Sequence, residues 1–230
     1  MKKIWTLMIV VAVTLGLSGC FGYEEEITVF TDSTGVQWRV LAEDEKGNQL
    51  IITEHVHGLV QYNSSNVYTF LGQSDGLRIA LNAWFVDTLA PELRENALPA
   101  ENVDNDVRLT IGASANENVA EVFYGVTAHE NEAAGWTVAA TGTASPENSL
   151  FVLSISEANK YSNLGTLNVQ GKRFADEGHL VQAAWWLRSP GGSSDSPVAL
   201  MWACDSVGAY VSIASATSKY GFRPALWISR

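Results

Sequence analysis

Apolar and polar positions alternate over Val36-Gln37-Trp38-Arg39-Val40-Leu41, the period-two pattern of a strand with one buried face. Lys46-Gly47-Asn48 is a turn signal, and Gln49 to Thr53 returns as a second strand, so the pair predicts a hairpin. From Leu77 to Leu89 the period changes. Apolar residues at 77, 81, 84, 85 and 89 form one helical stripe. Pro91 suits the first turn of a short following helix over Glu92 to Leu98. Leu150 to Leu153 is a brief apolar run that predicts a buried strand. Ser154, with Glu157 three residues later, is a capping box that opens a helix through Tyr161.

The last fifty residues read as β. Strands are expected over Ala183 to Leu187, Val198 to Cys204, Ala209 to Ile213 and Phe222 to Ile228. Loops at 190–197 and 214–220 and a turn at Asp205-Ser206-Val207-Gly208 separate them. Lys172 to Gly178 is polar and expected to be exposed. Residues 99–149 are the least legible: an acidic patch, a strand-like stretch at 107–111, and many small polar residues suggest strands and long loops. Short strands with segregated helices and no βαβ alternation place the chain in the α+β class.

Composition bounds the possibilities. Eight Trp, eight Phe and seven Tyr in 230 residues indicate a folded chain. Twenty-five acidic against fourteen basic residues give a net charge of −11, which argues against nucleic acid as a partner because phosphate recognition needs clustered Lys and Arg. The amino terminus has its own pattern. Lys2 and Lys3 precede an apolar run from Ile4 to Leu17, and Leu17-Ser18-Gly19-Cys20 ends it. The run is too short to span a bilayer and ends in a processing site, so it reads as a lipoprotein signal peptide over 1–19 with lipidation at Cys20. Diacyl attachment would hold the chain on the extracytoplasmic face of the bacterial cell envelope. Residues 20–34 would form the lipidated cysteine and a tether, and 35–230 a single domain elaborated at 99–149. With Cys20 modified, Cys204 is the one remaining thiol, so no internal disulfide is expected.

Candidate chemistry is sparse. His55 and His57, two apart on a strand, have a spacing that metals accept, but no third ligand is evident and solvated histidines explain them better. The same holds for His179 beside Glu177. Glu101, Asp104 and Asp106 lack a calcium-loop pattern. No Gly-x-Ser-x-Gly elbow occurs, and Gly165 to Lys172 departs from a phosphate loop in spacing and in the residue after the lysine. No metal and no cofactor are implied.

WWLRSPG at 185–191 and GFRPALWI at 221–228 resemble the paired signatures of a bacterial domain family of unknown function found in secreted and surface proteins of anaerobic gut bacteria. GVQWRVL, LRIALNAWFVDTL and LFVLSISEANKY are similar to that family's opening strand, helix and strand-helix unit. More distantly, the family resembles the C-type-lectin-like fold of formylglycine-generating enzymes and variable surface receptors. The resemblance implies that the first and last strands pair, with Trp38 and Trp227 in the core. Arg223 would be a structural residue answered by carboxylates such as Asp205. Formylglycine chemistry needs paired thiols, which Cys204 alone does not supply.

Trp186 and Arg188 carry two readings. Strand alternation puts them on one face and Trp185 with Leu187 on the other, so the pair is either packed beneath the 190s loop or exposed for recognition. On the second reading the ligand surface comprises Trp186, Arg188, Ser189, Asp195, Trp202, Asp205 and Tyr210, and suits a glycan or an exposed peptide. A non-catalytic binding module is the expectation. The alternatives are a structural component of an envelope assembly and, less favoured, a formylglycine-generating-type enzyme.

Overall fold

A computed structural model describes residues 27–68, 76–100, 102–103, 137–138, 144–164, 166–168, 172–174, 179–190, 198–204 and 208–230. The segment read as a signal peptide and Cys20, the strand-like stretch at 107–111 with most of 99–149, Gly165, Glu177 and residues 191–197 lie outside them.

Strand β1 (Val29–Thr31) leads through a tight turn to β2 (Gln37–Glu43) and β3 (Gln49–Thr53). The β2–β3 hairpin is the one that the alternation predicts. Its turn is closed by the Asp44 carboxylate, which accepts from the backbone of Lys46 at 2.8 Å and Asn48 at 2.9 Å. β1 falls within the stretch read as tether, yet it pairs antiparallel with β2. β4 (His57–Gln61) follows, then helix α1 (Gly76–Asp87), α2 (Pro91–Asn96) and β5 (Ala97–Leu98). The helical stripe is buried as its spacing requires: Leu77, Leu81, Trp84, Phe85 and Leu89 all lie in the core. Arg94 of α2 donates to the carbonyls of Val86 (2.7 Å) and Leu89 (2.9 Å), satisfying acceptors that the end of α1 leaves open.

Two short strands, β6 (Asn102–Val103) and β7 (Thr137–Val138), pair with each other. Helices α3 (Pro146–Ser149) and α4 (Ile155–Asn163) come next. α4 begins with the predicted capping box: Ser154 Oγ accepts from Glu157 N at 3.1 Å, and the Glu157 carboxylate from Ser154 N at 2.9 Å. Leu150 to Leu153 is fully buried, but it forms no strand. Phe151 makes an isolated bridge to Ala225, and the Leu153 carbonyl accepts from Arg188 N at 3.0 Å, so the run stitches two sheets together. The polar stretch from Lys172 carries β8 (Lys172–Phe174), which pairs with β9 (Leu180–Gln182).

The carboxy-terminal strands are β10 (Trp185–Pro190), β11 (Val198–Cys204), β12 (Gly208–Ala214), β13 (Lys219–Phe222) and β14 (Ala225–Ile228). One five-stranded sheet, wholly antiparallel, runs β1-β2-β3-β14-β5; the other runs β12-β11-β10-β13-β4 with β10 and β13 parallel.

Direct pairing of the first and last strands is corrected. β14 pairs with β3, placing Trp227 opposite Leu50, and β3 separates β14 from β2. The stretch expected as one closing strand is also two. Arg223-Pro224 breaks it because proline cannot donate to a ladder, and the chain crosses from the second sheet to the first at that break. Trp38 is sealed in the core, whereas Trp227 is half-buried and packs on its margin.

The middle strand of each sheet carries an uninterrupted run of three apolar residues. Leu50-Ile51-Ile52 sits at the centre of one and Trp185-Trp186-Leu187 at the centre of the other, and all six are buried. A central strand covered on both faces loses the period-two alternation. Within the second sheet the chain packs tightly at Gly221 of β13, where an added Cβ would lie 2.0 Å from a Val56 methyl and 3.2 Å from the Ala184 carbonyl oxygen.

Candidate functional site

The strand with the two tryptophans is closed. Trp186 is 0% exposed and Arg188 1%, and Ser189 is equally buried. The Trp186 indole N–H donates across the sheet to the Val60 carbonyl at 2.9 Å, and the ring meets Tyr220 and Tyr62 edge-on at 5.0 and 5.5 Å. Arg188 donates to the Val152 carbonyl at 2.9 Å and pairs with Glu157, while its guanidinium stands 5.6 Å over the Phe151 ring. Ser189 Oγ accepts from Ile155 N at 3.0 Å. The recognition reading is therefore corrected for these three. Arg188 and Ser189 form the joint between β10 and the start of α4, where the capping glutamate also answers the buried arginine, and Trp186 ties β10 to β4. Trp202 and Tyr210 occupy facing register positions in β11 and β12. Asp195 and Asp205 lie outside the described residues.

Arg223 meets backbone carbonyls instead of the carboxylates expected for it. It is fully buried and donates to the carbonyls of Thr53 (3.0 and 2.8 Å), Asn168 (2.5 Å) and Glu54 (3.3 Å), with its guanidinium 5.1 Å over Trp185. Burial lowers its pKa to about 10, while the Glu54 carboxylate opposes that shift. Glu54 itself holds Arg39 in a bidentate pair at 2.6 and 2.8 Å.

A groove of about 560 Å³ opens elsewhere, within the size range of small-ligand clefts, roughly 300–1,000 Å³. One wall is Thr31 and the turn from Thr34 to Gln37; the other is the segment from His55 to Gly58, and Phe174 of β8 stands at the side. The first wall is rigid for a local reason. Asp32 Oδ1 accepts from Thr34 N (2.9 Å), Thr34 Oγ1 (2.7 Å) and Val36 N (3.0 Å), and Oδ2 accepts from the buried Trp38 indole at 2.8 Å. Gly35, at φ 91°, supplies the left-handed residue that closes this turn. Ser33 at its tip bonds the Glu92 carboxylate through N (2.9 Å) and Oγ (2.7 Å), tying the turn to α2.

The second wall carries the two histidines, which the structure separates instead of aligning on one strand face. His55 lies in a bend before β4. Its Nε2 donates to Gln37 Oε1 at 3.1 Å, leaving the other ring nitrogen as an acceptor, and Phe174 meets it edge-on at 5.2 Å. His57 packs 5.4 Å from Trp84 and 6.4 Å from Phe222, with Nε2 buried and unpartnered among the described residues. It is not the solvated histidine its spacing suggested. Burial, with His55 and Arg223 nearby, lowers its pKa to about 4 against the opposing pull of Asp32. Burial also lowers the pKa of His55, joined by Arg223 and Lys172 and opposed by Glu54. Both imidazoles are accordingly neutral at pH 7. Among the described residues no group of three or more His, Cys, Asp or Glu is placed to hold a metal.

The sequence carried two signals for this groove: Asp32-Ser33-Thr34-Gly35 is a turn with a side-chain acceptor at its first position, and Phe174 is a lone aromatic in a polar stretch.

Two sheets with helices against them, and a groove beside the edge strands β1 and β4, define a mixed α+β domain. The chain belongs to the DUF6273 family, a domain of unknown function, which matches residues 46–230. The groove wall from Thr31 to Gln37 lies upstream of the matched residues. No curated protein and no solved structure matches the chain. Among the described residues no helix is long and apolar enough to cross a membrane.

Proposed function

We propose that the chain is a non-catalytic binding module, lipid-anchored through Cys20 on the extracytoplasmic face of the envelope, built on a C-type-lectin-like version of the α+β fold. The fold reading is supported by the sharing of one sheet between the amino-terminal hairpin and the last strand. The ligand, a glycan or an exposed peptide, sits in the groove between the Thr34–Gln37 turn and the His55–Gly58 segment. The observation that carries the reading is the groove itself: a preformed cleft with one wall braced by Asp32. The non-catalytic part is supported by the same carboxylate. Its four contacts are made to the turn and to Trp38, so it is engaged as a brace and not poised as a base.

The test uses the full chain on glycan and peptide arrays. Gln37→Ala combined with His55→Ala is expected to abolish the response, and Asp195→Ala in the 190s loop to leave it intact. The reverse pattern moves the ligand to the loops. Separately, Cys20→Ser should release the protein from the membrane fraction. A second reading, an interaction component of an envelope assembly, is favoured by one observation: Ile79 and Val86, seven residues apart on α1, are both exposed. Recovery of a stable complex that Ile79→Lys dissolves would support it.

A further inference from the structure

We infer that the groove takes the ring of an uncharged saccharide, with Phe174 as the surface on which the ring stacks and the Gln37–His55 pair as the partner of its hydroxyls. This rests on the binding reading above and specifies its ligand. Three observations carry it.

The first is charge. None of the described residues lining the groove is Asp, Glu, Lys or Arg. An anionic ligand needs a cation or an array of oriented N–H donors, and a cationic ligand needs a carboxylate; the described lining supplies neither. Of the described ions nearby, Asp32 is engaged in its turn, Glu54 with Arg39 and Arg223 with backbone carbonyls, and Lys172, which acts on His55 by its charge, does not line the groove.

The second is the backbone. An extended peptide would add main-chain hydrogen bonds along a free edge. At these walls the main chain is already engaged: Asp32 N donates to Val36 O at 2.9 Å, Gly35 N to Asp32 O at 3.1 Å, Glu54 N to Gln37 O at 2.8 Å and Val56 N to Lys172 O at 2.7 Å. Recognition falls to side chains.

The third is what those side chains are. Phe174 is 58% exposed and is held by its edge contact with His55. Threonine hydroxyls, the Gln37 amide and a neutral imidazole surround it, a set of donors and acceptors without net charge. An apolar ring face flanked by neutral donors and acceptors is complementary to a sugar, which has C–H faces and a hydroxyl rim.

The experiment is calorimetric titration of the full chain with neutral tetrasaccharides (cellotetraose, maltotetraose, chitotetraose), with tetragalacturonate and with an uncharged tetrapeptide, repeated on Phe174→Ala, Phe174→Trp and Gln37→Ala. Thermal unfolding confirms that each variant is folded. At least one neutral tetrasaccharide is expected to bind, Phe174→Ala to weaken it about tenfold, and Phe174→Trp to restore it. Tetragalacturonate is expected to give no heat. If the acidic saccharide or the peptide binds instead, with Gln37→Ala weakening it, the saccharide inference fails and the binding module stands. If no probe binds, or binding ignores every groove substitution, both fall.

Discussion

The chain presents two aromatic settings that look alike in sequence and differ in the fold. At Trp185 to Ser189, tryptophan, arginine and serine lie side by side on β10, the third of five strands, and every one of them is buried. Around Phe174, a single ring stands with threonine, glutamine and histidine at the margins of the two sheets, and it is largely exposed. Place in the sheet separates them. A central strand has neighbours on both sides and covered faces, so its polar groups must find internal partners, as Arg188 does with Val152 and Glu157. Turns and edge strands carry no such obligation, and a modest set of residues there stays available to a ligand. Conspicuous composition marked the brace, and inconspicuous composition marked the opening.

The sharpest way to break this comparison is to truncate the closed side. Trp186→Ala removes a fully buried indole and its hydrogen bond to the Val60 carbonyl. The expected loss is about 3–5 kcal/mol, seen in urea unfolding and as a fall in Tm of the order of 10 °C for a domain this size. Ligand binding by the folded fraction should survive. A variant that keeps its stability and loses its ligand would make β10 a recognition element and collapse the contrast.

What the sequence disclosed follows the same division. Local patterns were legible: the β2–β3 hairpin, the α1 stripe, the capping box before α4 and the β11–β12 pairing all depend on neighbours within a few positions. Long-range order was not. Alternation at Trp185 to Arg188 suggested one exposed face, but the adjacency of Trp185, Trp186 and Leu187 is the mark of a strand covered on both. Leu50-Ile51-Ile52 bears the same mark, and it places β3, not β2, beside β14. Pro224 inside the last apolar run was the available sign that this run is two strands in two sheets. Carbonyl partners such as those of Arg223 leave no trace in side-chain sequence. The groove escaped notice because its walls join residues 31–37, 55–58 and 174, which nothing local connects.

Acid sharpens the comparison from the open side. His57 lines the groove yet is wedged between Trp84 and Phe222, with His55, Arg223 and Asp32 as the charged or titratable groups that act on it. Its pKa is about 4 in the folded chain and near 6.5 when unfolded. The unfolded chain therefore binds the proton first, and stability is lost as pH falls from about 6.5 towards 4, by about 3 kcal/mol in all. His55, also lowered, acts in the same direction. Between pH 6.5 and 5 the carboxylates stay ionised, so urea midpoints in that window isolate the histidines. His57→Phe should flatten most of the slope. A wild-type midpoint unchanged from pH 7 to pH 5 would mean that His57 is solvated and that this wall is open.

The smallest expected effect tests the comparison most directly. Phe174→Ala removes a side chain larger than the core's leucines and valines, yet the ring is 58% exposed and its one described ring contact is with His55. Little apolar area returns to water on truncation, so unfolding stability should change by no more than about 0.5 kcal/mol. Trp186→Ala, measured in the same urea series, fixes the scale. The ratio of the two losses is then a direct reading of how differently the fold uses its aromatic residues. A loss for Phe174→Ala approaching that of Trp186→Ala would make Phe174 a clamp between the β8–β9 hairpin and the His55 bend. The ring would then be holding the groove wall in place, not lending a face to what binds there.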